Sequence, residues 1–150
     1  MVYHPVGPAT GTSLTGMRYS ICYSHCVGDD EWDVYQTDEV AAWIENLRRS
    51  DPQAAEKVEA AVDVLSEYGP TLGRPLVDTL KASAIANLKE LPPRQTTIRV
   101  LFVFDPWRSA ILLIAGDKAG QWQTWYERAI PRAEELYAVY LKERAEEEDR

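Results

Sequence analysis

Two runs near the middle of the chain, Ile98–Phe104 (IRVLFVF) and Ala110–Gly116 (AILLIAG), are apolar at almost every position and too short for an ordinary helix, so they predict strands. The residues between them, Asp105-Pro106-Trp107-Arg108-Ser109, are turn formers, and the Asp105 carboxylate can accept local backbone N–H groups. The two strands therefore predict a hairpin. A further strand over Asn87–Leu91 must stop at Pro92-Pro93, because neither proline can donate to a ladder. Near the start of the patterned region, Trp32, Val34 and Gln36 alternate with Asp33 and Tyr35, which predicts a short first strand over Glu31–Gln36.

The helical period is equally legible. Thr37 or Asp38 caps a helix whose Val40, Trp43, Ile44 and Leu47 share one face. A second helix starts with Asp51 as cap and Pro52 in its first turn, buries Ala55, Val58, Val62 and Leu65, and stops at Gly69-Pro70. A loop runs from Thr71 to about Ala86. The last helix is predicted from about Pro131 to Glu147, with Ala133, Leu136, Tyr137, Tyr140 and Leu141 as its stripe, and Trp122, Trp125 and Tyr126 lie in the polar stretch before it. The expected fold is α+β: a small antiparallel or mixed sheet, a helical hairpin on one face and a C-terminal helix.

With 150 residues, 45% of them apolar, the chain allows one domain and can bury a core without disulfides or a structural metal. No apolar run reaches membrane-span length and the N-terminus lacks a secretion signal, so a cytoplasmic protein with no membrane partner is expected. Residues 1–28, rich in glycine and mixed polar residues, are expected to be an irregular extension ahead of a domain over 29–150. Within it Cys22, His25 and Cys26 have an unusual spacing for zinc and no second ligand pair follows, so unpaired thiols are expected and no metal.

Charge changes the picture. The chain carries a formal net charge of -8, yet residues 69–128 hold 8 bases against 5 acids, and Arg94, Arg99, Arg108, Lys118 and Arg128 run through or just after the predicted sheet. Two readings stand side by side: edge protection of strands, or a surface for a phosphate backbone. Alternation places Arg99, Leu101, Val103 and Asp105 away from the helical hairpin, an open face on which a base could stack beside a held phosphate. Gly69-Pro70, Gly73-Arg74-Pro75 and Gly116 are read as architecture, Gly116 letting the backbone turn before Asp117-Lys118.

The opening WDVYQTDEVAAWIENL, the segments LSEYGPTLGRPLVDTLKAS, NLKEL and IRVLFVFDPWRSAILLIAGDKAG, and WY followed by IPRAEELYAVYLKE resemble, in this order over about residues 31–145, the phage-derived Gp49-like branch of the RelE/HigB toxin superfamily. The resemblance implies the toxin of a type II toxin–antitoxin pair. Its relatives cleave messenger RNA, commonly on the ribosome, and a helix-turn-helix antitoxin silences them. It matches Arg99 and Lys118 to basic site residues of RelE-like enzymes. Pro92 stands where the NLKEL motif continues with arginine, which leaves Arg94 as the neighbouring cation.

Such cleavage uses the RNA's own 2′-hydroxyl and needs no metal or cofactor. No histidine lies near the predicted sheet, so Glu90 and Tyr126 are the candidates for proton transfer beside Arg99 and Lys118. Lys89, Arg94, Arg108, Arg74 and Trp107 are the candidate RNA contacts, Trp107 standing at a hairpin tip with few packing partners, where a contact with the antitoxin is equally open. Two other functions remain open: a toxin that inhibits a protein target, and an inactive relative that binds its antitoxin.

Overall fold

The computed structural model describes residues 19–23, 32–73, 76–81, 83–85 and 87–148. Its strands are β1 (Tyr19–Tyr23), β2 (Asp33–Thr37), β3 (Asp78–Thr79), β4 (Lys89–Leu91), β5 (Ile98–Phe104) and β6 (Ser109–Asp117); its helices are α1 (Asp38–Ser50), α2 (Pro52–Tyr68) and α3 (Trp122–Glu148). The strands form one sheet in the order β1-β2-β6-β5-β4-β3. Only β2 and β6 pair in parallel, so the sheet is mixed, and the fold is the α+β arrangement that the patterning and the resemblance predict.

Local chemistry sets the element ends. The Thr37 hydroxyl accepts from the Val40 N–H at 3.2 Å and donates to the Leu113 carbonyl at 2.9 Å, so one side chain caps α1 and ties it to β6. Asp51 caps α2 through the Ala54 N–H at 3.1 Å, with Pro52 in the first turn. At the other end of α2, Gly69 has φ +56°, and a Cβ there would lie 2.5 Å from the Trp32 ring. Two independent constraints therefore demand glycine at that position.

The sheet is covered on both faces. Val40 and Ile44 of α1 and Val58, Val62 and Leu65 of α2 pack on Val34, Val100, Phe102 and Leu112. On the opposite face Trp125, Ala129, Ala133 and Tyr140 of α3 pack on Leu101, Val103, Ile111 and Leu113. The face expected to be open is thus closed by α3 over most of its length, because Leu101 and Val103 have to be buried somewhere.

The sequence expectations need correction at further places. Tyr19–Tyr23, inside the segment expected to be irregular, is an edge strand paired antiparallel with β2; its alternation of Tyr, Ile and Tyr with Ser and Cys suits a strand, but glycine-rich flanks obscure it. The expected loop over 71–86 contains β3, two residues paired with β4. Helix α3 begins at Trp122 rather than Pro131. The Lys118–Gln121 turn, with Gly120 at φ +71°, starts it, and burial of Trp125, Ala129 and Ala133 at successive i+4 positions holds it through the proline. No helix among the described residues is long and apolar enough to cross a membrane.

A bulge in β6 controls what the sheet presents. Leu101 pairs with Ile114 but Phe102 pairs with Leu112, leaving Leu113 as an extra residue. Strict alternation from Ala110 would point Gly116 and Lys118 toward α1 and α2. The bulge reverses that phase and returns both to the α3 face, where Gly116 pairs directly with Arg99. Gly116 is consequently an interior strand residue and not the turn expected. A Cβ there would lie 2.2 Å from Trp125 Nε1, so the absence of a side chain is what seats the indole on the strand.

Candidate active site

Four elements converge at the end of the sheet that the bulge has rephased. Glu90 of β4 and Arg99 of β5 are diagonal neighbours on the α3 face, since Glu90 pairs with Leu101. Lys118 follows β6, held by its own N–H on the Thr97 carbonyl at 3.0 Å. The first turns of α3 bring Trp122 and Tyr126 over them.

The Tyr126 hydroxyl donates to Glu90 Oε2. Arg99 Nη1 donates to the carbonyls of Ile98 at 2.7 Å and Thr96 at 3.2 Å, which fixes the guanidinium, while its buried Nε has no hydrogen-bond partner and stands 4.0 Å from Glu90 Oε1. The Lys118 ammonium sits 5.6 Å from the Tyr126 ring centroid and 5.9 Å from that of Trp122, between two rings inclined at 77°. Asp117 does not orient Lys118. Its carboxylate accepts from the Thr97 hydroxyl at 2.5 Å and the Ala119 N–H at 2.9 Å, and so ends the strand.

Electrostatics gives the tyrosine a direction of use. Burial pushes the Tyr126 phenol above its ordinary value of 10.0; the hydrogen bond to Glu90 and that group's charge raise it further, against a smaller lowering by Arg99. Tyr126 stays protonated at neutral pH, so it can give a proton to a developing oxyanion but cannot start a reaction as a base. Glu90 is the only acceptor placed against it in this group. An anchored guanidinium, an ammonium beside two rings, one protonated phenol and one carboxyl group next to an exposed indole can stabilise added negative charge and move a proton in each direction.

The other expected contacts lie elsewhere. Lys89 alternates to the opposite face from Glu90, and its Nζ donates to Thr79 Oγ1 at 2.9 Å. Arg94 is exposed at the rim of a cavity of about 470 Å³ lined by Lys57, Leu76, Leu91 and Pro92, on the α2 side of the sheet. It does not stand beside Arg99 in the place that Pro92 leaves. Arg108 and Trp107 occupy the far end of the hairpin, roughly 20 Å from Arg99 at about 3.3 Å per strand residue. Arg108, at φ +64°, lies 5.2 Å over the Trp32 ring. Trp107 has more packing than its tip position suggests, edge-on to Tyr140 at 6.4 Å and under the Arg144 guanidinium at 5.0 Å. Arg74 lies outside the described residues, as do the side chains of Cys22, His25 and Cys26. Among the described residues no three His, Cys, Asp or Glu side chains group as metal ligands.

Trp122 joins this cluster in space, a placement that sequence patterning does not single out. Placed in a polar connection, it resembles any packing aromatic; the available signal is the spacing Lys118, Trp122, Tyr126, four residues at each step, which puts the two rings on one helix face next to the ammonium.

Comparison with known proteins identifies the family. Residues 45–138 match the family model described as "Phage derived protein Gp49-like (DUF891)", a span that contains Glu90, Arg99, Lys118, Trp122 and Tyr126. Two proteins of Mycobacterium tuberculosis (strain ATCC 25618 / H37Rv) are similar to the chain. "Putative toxin HigB2" is 47% identical over 105 residues, 68% of this chain and 51% of that protein. "Putative toxin HigB3" is 50% identical over 103 residues, 69% of this chain and 88% of that protein. The chain thus spans about half the length of the first relative and most of the second. With a family match over more than half its length and relatives at this identity, the chain belongs to the phage-derived Gp49-like family, among the HigB-type toxins.

Proposed function

We propose that the protein is the toxin of a type II toxin–antitoxin pair and that it cuts messenger RNA, engaged on the ribosome, at the Glu90–Arg99–Lys118–Tyr126 cluster. The observation that carries this reading is the convergence of two cations, Arg99 held by backbone carbonyls and Lys118 lying over the Tyr126 ring, with a hydrogen-bonded tyrosine–carboxyl pair at one end of the sheet. The RNA's 2′-oxygen attacks the adjoining phosphorus and the P–O5′ bond breaks, leaving a 2′,3′-cyclic phosphate and a 5′-hydroxyl. Glu90 takes the proton of the 2′-hydroxyl. Tyr126 gives its proton to the departing O5′ and recovers one from Glu90 across their existing hydrogen bond, so the protein ends as it began. Arg99 and Lys118 stabilise the charge that builds on the phosphorane oxygens, and the prior fixation of Arg99 limits reorganisation at that moment.

The cognate antitoxin, a helix-turn-helix protein in this reading, silences the enzyme by binding it. Purified protein incubated with translating ribosomes should produce new messenger RNA ends within coding sequence. Unchanged messenger RNA under conditions where translation nevertheless stops would favour a protein target instead.

A further inference from the structure

Trp122 is the most exposed large apolar side chain among the described residues, at 59% relative exposure, whereas Trp125, three residues on, is 8% exposed. A single exposed indole is common on protein surfaces, so what counts is where this one stands. Its position is specific. The ring lies 6.5 Å from that of Tyr126 and 5.9 Å from the Lys118 ammonium, so it borders the acid and one cation of the cluster. Next to it, a groove of about 380 Å³ runs past Tyr126, Ile130, Pro131 and Glu134. The Glu134 carboxylate is itself fixed by the Ser83 hydroxyl at 2.7 Å and the Ala84 N–H at 2.5 Å.

We propose that Trp122 is the specificity-determining residue of this site: it stacks the nucleobase immediately 3′ of the cut and favours a purine there. The inference rests on the proposed cleavage reaction, in which Tyr126 protonates the departing O5′. That oxygen belongs to the nucleotide 3′ of the broken bond, so this nucleotide's ribose must lie at Tyr126. Its base then falls to the adjacent ring, which is Trp122, while the phosphate stays with Arg99 and Lys118. Every base offers a π-face to an indole, but a purine offers more of it, so stacking alone generates a graded preference without hydrogen-bond readout. Ile130 and Pro131, which line the groove, give the far edge of a larger base apolar atoms to lie against.

The test is to map messenger RNA ends made by the full chain on translating ribosomes for wild type, Trp122→Ala and Trp122→Phe, with thermal unfolding as the check on folding. Wild type should show purines enriched immediately 3′ of the cuts. Trp122→Ala should cut about 10-fold more slowly, the loss of one stacked base, and its 3′ purine enrichment should vanish; Trp122→Phe should keep both within about threefold. A merely structural tryptophan would change the rate without changing the base profile, and that result overturns the proposal, as does an unaltered Trp122→Ala enzyme. Weakened antitoxin binding with an unchanged cut profile would assign the indole to the protein partner and overturn it as well. If wild type makes no cuts at all, the cleavage reading itself fails and this inference falls with it.

Discussion

Arg99 illustrates how much one residue type can and cannot reveal. An arginine amid IRVLFVF is conspicuous in the sequence, and its cationic role can be proposed from there. What holds it is invisible, because the anchors are the backbone carbonyls of Thr96 and Ile98. Tyr126 is the complementary case: as a residue in a polar stretch it looks equally suited to packing, and only its bond to Glu90 supports the role proposed for it. Replacing Tyr126 by Phe removes one hydroxyl and leaves the ring, so the fold should persist while cleavage falls by about 10²-fold, the usual scale for a lost general acid. Wild-type cleavage by that variant would show that another group supplies the proton. The same hydroxyl should mark the pH dependence of stability. Its folded-state value is raised above the ordinary 10.0, so its contribution is complete below pH 10 and is lost as pH rises through the raised value. Denaturant unfolding measured upward from pH 9 should therefore show a shallower alkaline loss for Tyr126→Phe than for wild type. Parallel curves for the two proteins would contradict the assigned shift.

At the scale of elements, whatever depends on neighbours in sequence could be read from the sequence, and whatever depends on distant packing could not. The caps at Thr37 and Asp51, the stop at Gly69 and the Asp105–Ser109 turn use residues within a few positions of one another. The edge strand β1, the two-residue β3 and the start of α3 depend on partners far along the chain, and Pro131 reads locally as a beginning. The β6 bulge is the most consequential unread feature, since a run of apolar residues conceals which of them is extra. Without it Lys118 would face away from Arg99. Gly116→Ala, directly opposite Arg99, should destabilise the protein by roughly 1–3 kcal/mol, because the new methyl group meets the Trp125 indole and neither backbone nor ring can easily yield. A neutral effect in thermal unfolding would show that the indole moves freely. The hairpin tip offers the contrasting test. Asp105 accepts from the N–H groups of Trp107 at 2.9 Å and Ser109 at 2.8 Å and from the Tyr140 hydroxyl at 2.5 Å. Asp105→Ala removes the shared acceptor of these three donors and should cost on the order of 3 kcal/mol, yet leave cleavage at permissive temperature near wild type because the tip is far from the cluster. A stable but inactive variant would place chemistry at the wrong end of the sheet.

For the whole molecule, a net charge of -8 surrounds the site proposed to act on a polyanion. Long-range steering toward RNA is therefore weak, and binding depends on the few cations that reach the phosphate. With Arg99 and Lys118 as those cations, affinity for a single-stranded RNA carrying a 2′-deoxy substitution at the cut should fall with salt at a logarithmic slope of about -1.5, and Arg94→Gln or Arg108→Gln should leave that slope unchanged. A slope steeper than about -4 would mean that the wider basic surface is engaged after all. The most direct test of the account is the single-turnover rate of messenger RNA cleavage on translating ribosomes by wild type, Arg99→Ala and Lys118→Ala, with the new termini identified chemically. Each substitution should slow cleavage by about 10²-fold or more, roughly 2.7 kcal/mol of transition-state stabilisation, and the wild-type cuts should carry 2′,3′-cyclic phosphate and 5′-hydroxyl ends. Folded variants that cut at the wild-type rate would contradict the assignment of this cluster as the active site.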